Sequence, residues 1–266
     1  MTAILRSDQK AGVLRLTLDD PSSRNSLSDG MMTALSAAFA KAENDGSISV
    51  IVLAAIGPAF CSGHNLKELT ASRSNSDGGA GYFNEIFSRC SSLMMQIAVH
   101  RCAVIAEVAG LASAAGCQLV ASCDLAYAGR DARFCTPGVK IGLFCSTPMT
   151  ALSRNVTSKH GLEMLLTGDI YDVEYAYRVG LVNAVIEPQN LTEHVDRVAQ
   201  KISQKSSTAI AFGKKLYHAQ LTMPLQEAYR ACTEIMVANM LNASATEGIG
   251  AFLEKRHPHW PGTSKS

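Results

Sequence analysis

The chain has 266 residues, of which 47% are hydrophobic and 18% are charged, so it contains enough apolar material for a sizeable core. Its formal net charge is +1 and its basic residues are scattered, which argues against nucleic acid or an acidic membrane surface as a partner. No apolar run is long enough to cross a membrane, so we expect no membrane span. The first residues resemble neither a signal peptide nor a transit peptide.

The cysteines indicate free thiols rather than a disulfide framework. The chain has eight, none of them in a CxxC pair or at zinc-site spacing, and several lie inside apolar runs. A buried thiol behaves as a small hydrophobe, and this usage fits a reducing compartment. We therefore predict no metal site.

Predicted strands and helices alternate through the first half of the chain. Residues 13–18 alternate apolar and polar side chains, which predicts a hairpin with residues 4–8. Ser28 is a suitable N-cap for a helix to about residue 42, and the apolar residues 50–55 predict a strand buried on both faces. A helix over 82–98 and strands over 103–108 and 125–128 complete the pattern. This alternation is typical of an α/β layer with parallel strands.

Two loops built from small residues follow predicted strands. One covers residues 57–65, and the other covers 109–116, ahead of a predicted helix that ends at Ser122. Loops that follow parallel strands meet at one end of a sheet, where α/β proteins bind ligands. A helix start cleared of large side chains can admit a ligand oxygen to its unpaired N–H groups. Taken alone, the second loop fits close helix–sheet packing without a ligand equally well.

The second half of the chain is predicted to be mostly helical. Residues 134–148 contain Gly and Pro and are predicted to be irregular, Asp172 is predicted to cap a short helix, and residues 181–186 predict a brief strand. Helices are then predicted over about 191–202, 209–217, 225–241 and 246–256. No linker or repeat interrupts the chain, so we predict a single domain over 1–266, with a core over about 1–190 and a helical region over about 191–266.

Several common catalytic motifs are missing from the sequence. It has no GxSxG nucleophile elbow, no Walker loop and no GxGxxG fingerprint, and its histidines lack HExxH or facial-triad spacing. A nucleophilic pair formed by Cys61 and His64 stays open, although a buried and inert cysteine is the commoner outcome.

Two segments together resemble the crotonase (enoyl-CoA hydratase/isomerase) family. They are AFCSGHNLKEL over 59–69 and IAEVAGLASAAGCQL over 105–119, the latter followed by Cys123 and Asp124. The runs LLTGD (165–169), GLV (180–182) and FLEKR (252–256) fit in the same register, so the resemblance covers nearly the whole chain. It implies an α/β fold, namely the ClpP-like spiral of ββα units, with a helical C-terminal trimerisation region.

The resemblance also implies a ligand, an assembly and a location. Family members bind an acyl-CoA thioester, with no further cofactor, and hold the thioester oxygen between two backbone N–H groups. Carried over by position, these donors belong to His64 and Ala115, and His64, Asn65, Leu66 and Lys67 line the CoA path. Alanine at 115, where the family usually has glycine, narrows the allowed backbone angles. A homotrimer or dimer of trimers, and fatty acid metabolism in the mitochondrial matrix, are implied in the same way.

The chain departs from the family at both catalytic glutamate positions, which hold Gln118 and Gly138. Hydration needs one group to take a proton from water and another to deliver a proton to the α-carbon. An amide does not exchange protons near neutral pH and glycine has no side chain, so we predict that ordinary hydratase activity is lost. Glu107, a charge inside an apolar strand, is the best substitute base, but pairing with a nearby Arg or Lys is the commoner use of such a group.

Three functions stay open at this point. The favoured one is an acyl-CoA-binding protein of fatty acid metabolism without ordinary hydratase chemistry. The second is an enzyme that uses the same N–H donors with another proton donor, as a hydratase/isomerase or as a decarboxylase of malonyl-type thioesters, because loss of CO₂ needs a stabilised enolate but no proton abstraction. The third is a structural subunit that binds no ligand.

Overall fold

The computed structural model describes residues 4–261 of the chain. Within this range the backbone forms ten strands, which alternate with helices as the sequence predicts. The strands are β1 (Leu5–Lys10), β2 (Val13–Leu18), β3 (Val50–Ala55), β4 (Ala59–Cys61), β5 (Ala103–Val108), β6 (Leu111–Ser113), β7 (Leu125–Gly129), β8 (Arg133–Cys135), β9 (Tyr171–Asp172) and β10 (Ala184–Ile186).

The same residues form eleven α-helices, and two of them begin at the caps that the sequence predicts, Ser28 and Asp172. Met31 N–H donates to Ser28 Oγ over 3.2 Å, and Tyr175 N–H donates to Asp172 Oδ1 over 2.8 Å. The helices are α1 (Asp29–Glu43), α2 (Leu66–Ser72), α3 (Ala80–Val99), α4 (Ala115–Ser122), α5 (Ser146–Leu152), α6 (Ser158–Thr167), α7 (Val173–Arg178), α8 (Leu191–Ser203), α9 (Ser207–Gln220), α10 (Leu225–Met240) and α11 (Ala243–Leu253).

The main sheet has six strands in the order β1-β2-β3-β5-β7-β10. Only the β1–β2 hairpin is antiparallel, and all other neighbours are parallel, which confirms the predicted α/β class. Five of the six residues of β3 are buried, as expected for a wholly apolar strand covered on both faces. On one face α8 packs against Val50, Val52 and Ile105, and the larger core lies on the other face.

The structure contains a second sheet of four short strands, in the order β4-β6-β8-β9, whereas the sequence predicts a single sheet. The sequence predicts none of these strands, because segments of two or three residues are too short to show a period. Strands β4, β6 and β8 are parallel neighbours, so the loops that follow them lie at one edge of this small sheet rather than at the main sheet. The two small-residue loops therefore meet, as predicted, but on a different scaffold.

The C-terminal helices α9, α10 and α11 carry nine of the 24 large apolar side chains that are exposed among residues 4–261. Helix α9 is attached to the core by Lys214, whose ammonium contacts Asp124 Oδ2 at 2.7 Å and donates to the carbonyls of Ile97 and Cys102 at 3.0 Å. None of the helices in residues 4–261 is long and apolar enough to span a membrane. The division of the chain into core and helical region stays a prediction.

Candidate functional site

The two small-residue loops touch each other at Gly63. This residue has φ +89°, a conformation that favours glycine, and Leu27 N–H donates to its carbonyl over 2.8 Å. A Cβ atom added at Gly63 would lie 3.0 Å from the Ser113 carbonyl oxygen and 3.3 Å from the Ala115 nitrogen. The absence of a side chain at Gly63 therefore lets the loop after β4 pack against the start of α4.

This contact brings the backbone of the His64 loop close to Ala115, and we call the backbone N–H groups of His64 and Ala115 the donor pair. His64 and Leu27 form an isolated parallel bridge, in which Leu27 N–H donates to the carbonyl of Gly63. In a parallel bridge the residue directly opposite does not take part in the hydrogen bonds, so the His64 N–H points away from Leu27. Ala115 is the first residue of α4, where N–H groups have no partner inside the helix. Among residues 4–261, no acceptor binds either N–H of the donor pair.

The turn between β6 and α4 contains an unusual backbone conformation. Ala114 has φ 50° and ψ −115°, a combination that is costly for a residue with a side chain, by about 1–3 kcal/mol. Its N–H donates to the Cys135 carbonyl at 2.9 Å, and its carbonyl accepts from Gln118 N–H at 3.0 Å. Ala115 itself is helical, a conformation open to alanine, and the unusual backbone angles lie one residue earlier, at Ala114.

Gln118 is buried, and only 3% of the residue is exposed. Side chains on a helix lean toward its N-terminus, so Gln118 covers the turn that begins at Ala115. Its Oε1 atom has no hydrogen-bond partner among the described residues. The position expected to hold an acid–base group therefore presents a neutral amide beside the donor pair.

Gly138 lies in a short 3₁₀ turn after β8, and its surroundings leave no space for a side chain. A Cβ atom added here would lie 2.9 Å from Cys145 Sγ, 3.0 Å from the Leu143 carbonyl oxygen and 3.2 Å from the Cys145 nitrogen. Cys145 thus fills the volume that a side chain at 138 would enter. The sequence shows Cys145 as a substitution, but its contact with Gly138 depends on tertiary structure.

The side chain of His64 is enclosed next to the donor pair. Neither ring nitrogen is accessible or has a hydrogen-bond partner among the described residues. Phe87 of α3 packs edge-on against the imidazole, with the ring centroids 5.1 Å apart. Burial lowers the pKa of His64, because it disfavours the charged imidazolium. The polar backbone of Leu27 nearby has a smaller, opposite effect, although no hydrogen bond of normal geometry joins it to the ring. The imidazole is therefore neutral at pH 7.

The residues expected along the CoA path form the start of α2. Asn65 caps this helix, because its Oδ1 accepts from Lys67 N–H at 3.0 Å, and its amide donates to Glu68 Oε1 at 3.3 Å. Leu66 is 53% exposed. Lys67 is exposed, and no acidic side chain of the described residues pairs with its ammonium.

The carboxylates that could replace the missing glutamates are engaged elsewhere. Glu107 accepts from Arg15 Nη1 at 2.7 Å and from Thr192 Oγ1 at 2.7 Å, which confirms the expected ion pair. Two further acidic residues of the family pattern also form ion pairs, Asp124 with Lys214 and Asp169 with Lys140 at 2.9 Å. The second Glu68 oxygen accepts from the N–H of Asp29 at 3.1 Å.

The thiols and possible metal ligands give no alternative centre in the described part of the chain. All eight cysteines are free, and burial raises the pKa of Cys61 to about 12, so this thiol is not a nucleophile at neutral pH. No group of three or more His, Cys, Asp or Glu side chains within residues 4–261 has a geometry suited to a metal ion.

Comparison with known proteins identifies the family. The sequence model for enoyl-CoA hydratase/isomerase matches residues 8–263. The chain is 44% identical over 252 residues to enoyl-CoA hydratase domain-containing protein 3, mitochondrial, from Xenopus laevis, covering 95% of this chain and 84% of that protein. The human protein of the same name is 43% identical, with 95% and 82% covered.

Solved structures agree with this assignment. An enoyl-CoA hydratase from Mycobacterium smegmatis superimposes with a TM-score of 0.91 at 44% identity, over 97% of this chain and 99% of that one. Human enoyl-CoA hydratase domain-containing protein 3 gives a TM-score of 0.92 at 41% identity, over 97% and 100%. The chain therefore has the crotonase fold and belongs to the enoyl-CoA hydratase/isomerase family.

Proposed function

We propose that this protein binds acyl-CoA thioesters in fatty acid metabolism and does not catalyse ordinary enoyl-CoA hydration. The family acts on acyl-CoA thioesters. The observation that carries the proposal is the donor pair, formed by the N–H groups of His64 and Ala115, which have no acceptor among residues 4–261 and lie on touching loops. Two such donors can polarise a thioester carbonyl and hold its oxygen.

The loss of hydration follows from the two positions that should carry acid–base groups. Gln118 presents an amide, and Gly138 presents no side chain in a volume already filled by Cys145. A positioned acid or base contributes about 10²–10⁴-fold to rate, so loss of both removes most of the catalytic advantage. Because Glu107 is paired with Arg15, it does not supply the missing base.

Decarboxylation of malonyl-type thioesters is the second candidate. It is favoured by the combination of an available donor pair with a buried neutral amide, since enolate stabilisation is the main requirement and no base is needed.

The CoA moiety would lie along the start of α2. Lys67 is exposed and unpaired among the described residues, so its ammonium is available to a phosphate group. Asn65 and Leu66 complete this edge, with Asn65 fixing the first turn through its cap. The positive end of so short a helix adds little, and the side-chain charge dominates.

The C-terminal helices support assembly as a homotrimer or a dimer of trimers. Eight large apolar side chains on α10 and α11 are at least 46% exposed in the single chain, which is typical of a subunit interface. They are Leu225, Tyr229, Met236, Val237, Met240, Ile249, Phe252 and Leu253.

A mitochondrial location is proposed from the names of the Xenopus and human relatives, and the matrix is proposed from the family resemblance alone. The mycobacterial protein is as similar to this chain, at 44% identity, as the Xenopus protein is, and its name mentions no mitochondrion. The location therefore needs its own test, by cell fractionation of the native protein.

Calorimetry and a turnover panel test the proposal together. We expect wild-type protein to bind butyryl-CoA, and to hydrate crotonyl-CoA about 10⁴-fold or more slowly than a two-glutamate relative. Lys67→Met should weaken binding, whereas Lys159→Met, an exposed lysine on α6, should not. Rapid hydration of crotonyl-CoA that Gln118→Ala abolishes would overturn the proposal. Release of CO₂ from malonyl-CoA would favour the second candidate, and failure to bind any acyl-CoA would leave a structural subunit.

A further inference from the structure

The segment that follows α11 folds back along this helix. Lys255 has φ +54°, the left-handed conformation at which many helices end, and its N–H donates to the Phe252 carbonyl over 3.2 Å. Arg256 N–H donates to the Ala251 carbonyl over 2.9 Å. These two hydrogen bonds are typical of a helix end at which the chain reverses. The residues after Arg256 therefore run back along α11 toward its first half.

Glu247, in the first half of α11, binds this segment at two points. Arg256 donates to both carboxylate oxygens of Glu247, from Nη1 over 2.7 Å and from Nη2 over 3.0 Å, which is the paired geometry that guanidinium and carboxylate groups favour. The backbone N–H of His259 donates to Oε1 of the same carboxylate over 2.6 Å. The Arg256 guanidinium and, to a smaller extent, the His259 N–H lower the pKa of Glu247 to about 2, so the carboxylate is ionised at neutral pH.

Trp260, the single tryptophan of the chain, connects this segment to α8. Its Nε1–H donates to the Gln204 carbonyl over 2.7 Å. Gln204 lies at the end of α8, where carbonyl groups have no partner inside the helix. The indole also packs against Gly248 of α11, since a Cβ atom added there would lie 3.2 Å from its Cζ3 and Cη2 atoms. Because α8 packs against the main sheet, Trp260 joins α11 to the core.

The side chains of α10 and α11 provide little other attachment in the single chain. Among the described residues, Ala228 is the buried residue of α10, and Ser244 and Ala251 are those of α11. Three small side chains bury little apolar surface, so packing alone holds the two helices weakly. The segment after α11 therefore supplies an attachment that the helices themselves lack.

We propose that residues 254–260 form a clasp that holds α11 against α8, and that its opening releases α11 while the core stays folded. The clasp closes through a partly exposed ion pair, hydrogen bonds at the surface and one aromatic ring, and regions attached in this way open at a lower free energy than the whole fold. The closed clasp fixes the direction of Ile249, Phe252 and Leu253, which are 46–82% exposed. The inference goes beyond the proposed function, because it involves no ligand.

The test is hydrogen exchange followed by NMR, with three probes in one protein: the indole N–H of Trp260, the backbone amides of α11 and those of β3. We expect the indole and α11 to exchange faster than β3, which lies in the buried sheet. Glu247→Gln removes the charge but keeps the size of the side chain. The exchange rates of the indole and of α11 should then rise together by about two- to fivefold, as for loss of an exposed ion pair, with β3 unchanged.

Glu254→Gln is the matched control for this charge. Glu254 accepts from Arg256 Nε over 2.6 Å, and both residues belong to the clasp, so this ion pair does not depend on closure. The variant should leave all three exchange rates unchanged.

A second pair of variants tests the aromatic contact. Gly248→Ala places a methyl group against the indole, so it should raise the exchange rates of the indole and of α11, although alanine favours the helix. Gly250→Ala gains the same helix propensity, but its added Cβ meets nothing within 4 Å, so it should not raise these rates.

Three results would overturn the inference. Unchanged indole exchange in Glu247→Gln would show that the ion pair does not hold the clasp closed. Faster indole exchange with unchanged α11 amides would show that the segment does not hold the helix. Equal rises in all three probes would show that Trp260 is exposed only when the whole protein unfolds.

Discussion

The close approach of α4 to β4 at Gly116 allows a prediction that can be worked out from distances. A Cβ atom added at Gly116 would lie 2.7 Å from the carbonyl carbon of Cys61 and 2.9 Å from its Cβ, and closer still to the carbonyl oxygen. Optimal contacts between such atoms are about 3.5–4.0 Å. The obstructing carbonyl belongs to the backbone, so Gly116→Ala must push the strand and the helix apart by about 1 Å.

The expected cost lies at the upper end of the range for overpacking. Inserted methyl groups in a packed core cost about 1–3 kcal/mol, and here no flexible side chain can move aside, so we expect about 3 kcal/mol. For a chain of this size, about 2–4 °C of Tm is lost per kcal/mol, which gives a fall of about 10 °C. The same displacement separates Ala115 from His64, so binding of butyryl-CoA should weaken in the fraction that remains folded.

Chemical denaturation followed by circular dichroism measures the change in the free energy of unfolding. The matched control is Gly213→Ala on α9, where an added Cβ meets nothing within 4 Å. This variant should be more stable than wild type by about 0.5–1 kcal/mol, because alanine loses less backbone entropy in a helix. A stability of Gly116→Ala within about 0.5 kcal/mol of wild type would refute the packing argument, since that is the spread of ordinary surface substitutions.

Three further predictions test other contacts. Gly138→Ala should destabilise the fold by about 1–3 kcal/mol. In a double-mutant cycle, Cys145→Ala should reduce this cost, because it removes the Sγ atom nearest to the added methyl group. Additive effects of the two substitutions would contradict the contact. Lys214→Met should lower the free energy of unfolding in urea by about 3–5 kcal/mol, because it leaves the buried Asp124 carboxylate without its partner. Lys215→Met, at an exposed lysine next to it, should change the free energy of unfolding little. Equal effects of the two substitutions would contradict the ion-pair argument. Burial lowers the pKa of His64 below its value in the unfolded chain, so the unfolded chain binds the proton more tightly. At pH values below about 6.5, the free energy of unfolding of the wild type should therefore decrease relative to that of His64→Gln, by up to about 1.4 kcal/mol for each pH unit. Parallel pH profiles of the two proteins would contradict an enclosed imidazole.

The sequence predicts the longer elements well because their physical signals are local. The bounds of β3 follow from an uninterrupted apolar run, and the start of α1 follows from the Ser28 cap. Strands β6 and β8 have three residues each, and their stability comes from pairing with distant segments, so no local pattern reveals them. The parallel alignment of β4 with β6 was therefore invisible, although it brings the two loops together.

At the site, the sequence predicts which residues are present but not which atoms surround them. The sequence identifies Gln118 and Gly138 as the departures from the family pattern, and it places a backbone donor on each small-residue loop. It does not show that Ala114 carries the unusual backbone angles, that Cys145 fills the space beside Gly138, or that Phe87 encloses His64. Each of these depends on contacts between residues that are far apart in the chain or on the backbone path of a turn.

The most direct measurement of the central claim is the ¹³C NMR spectrum of crotonyl-CoA, labelled in its acyl carbons, after incubation with the protein. We expect the thioester carbon to shift downfield, because the N–H groups of His64 and Ala115 polarise the carbonyl, and the olefinic signals to persist. Conversion of the olefinic signals to those of an alcohol at an enzymatic rate would contradict the loss of hydratase chemistry. An unshifted thioester signal at saturating protein would contradict the donor pair itself.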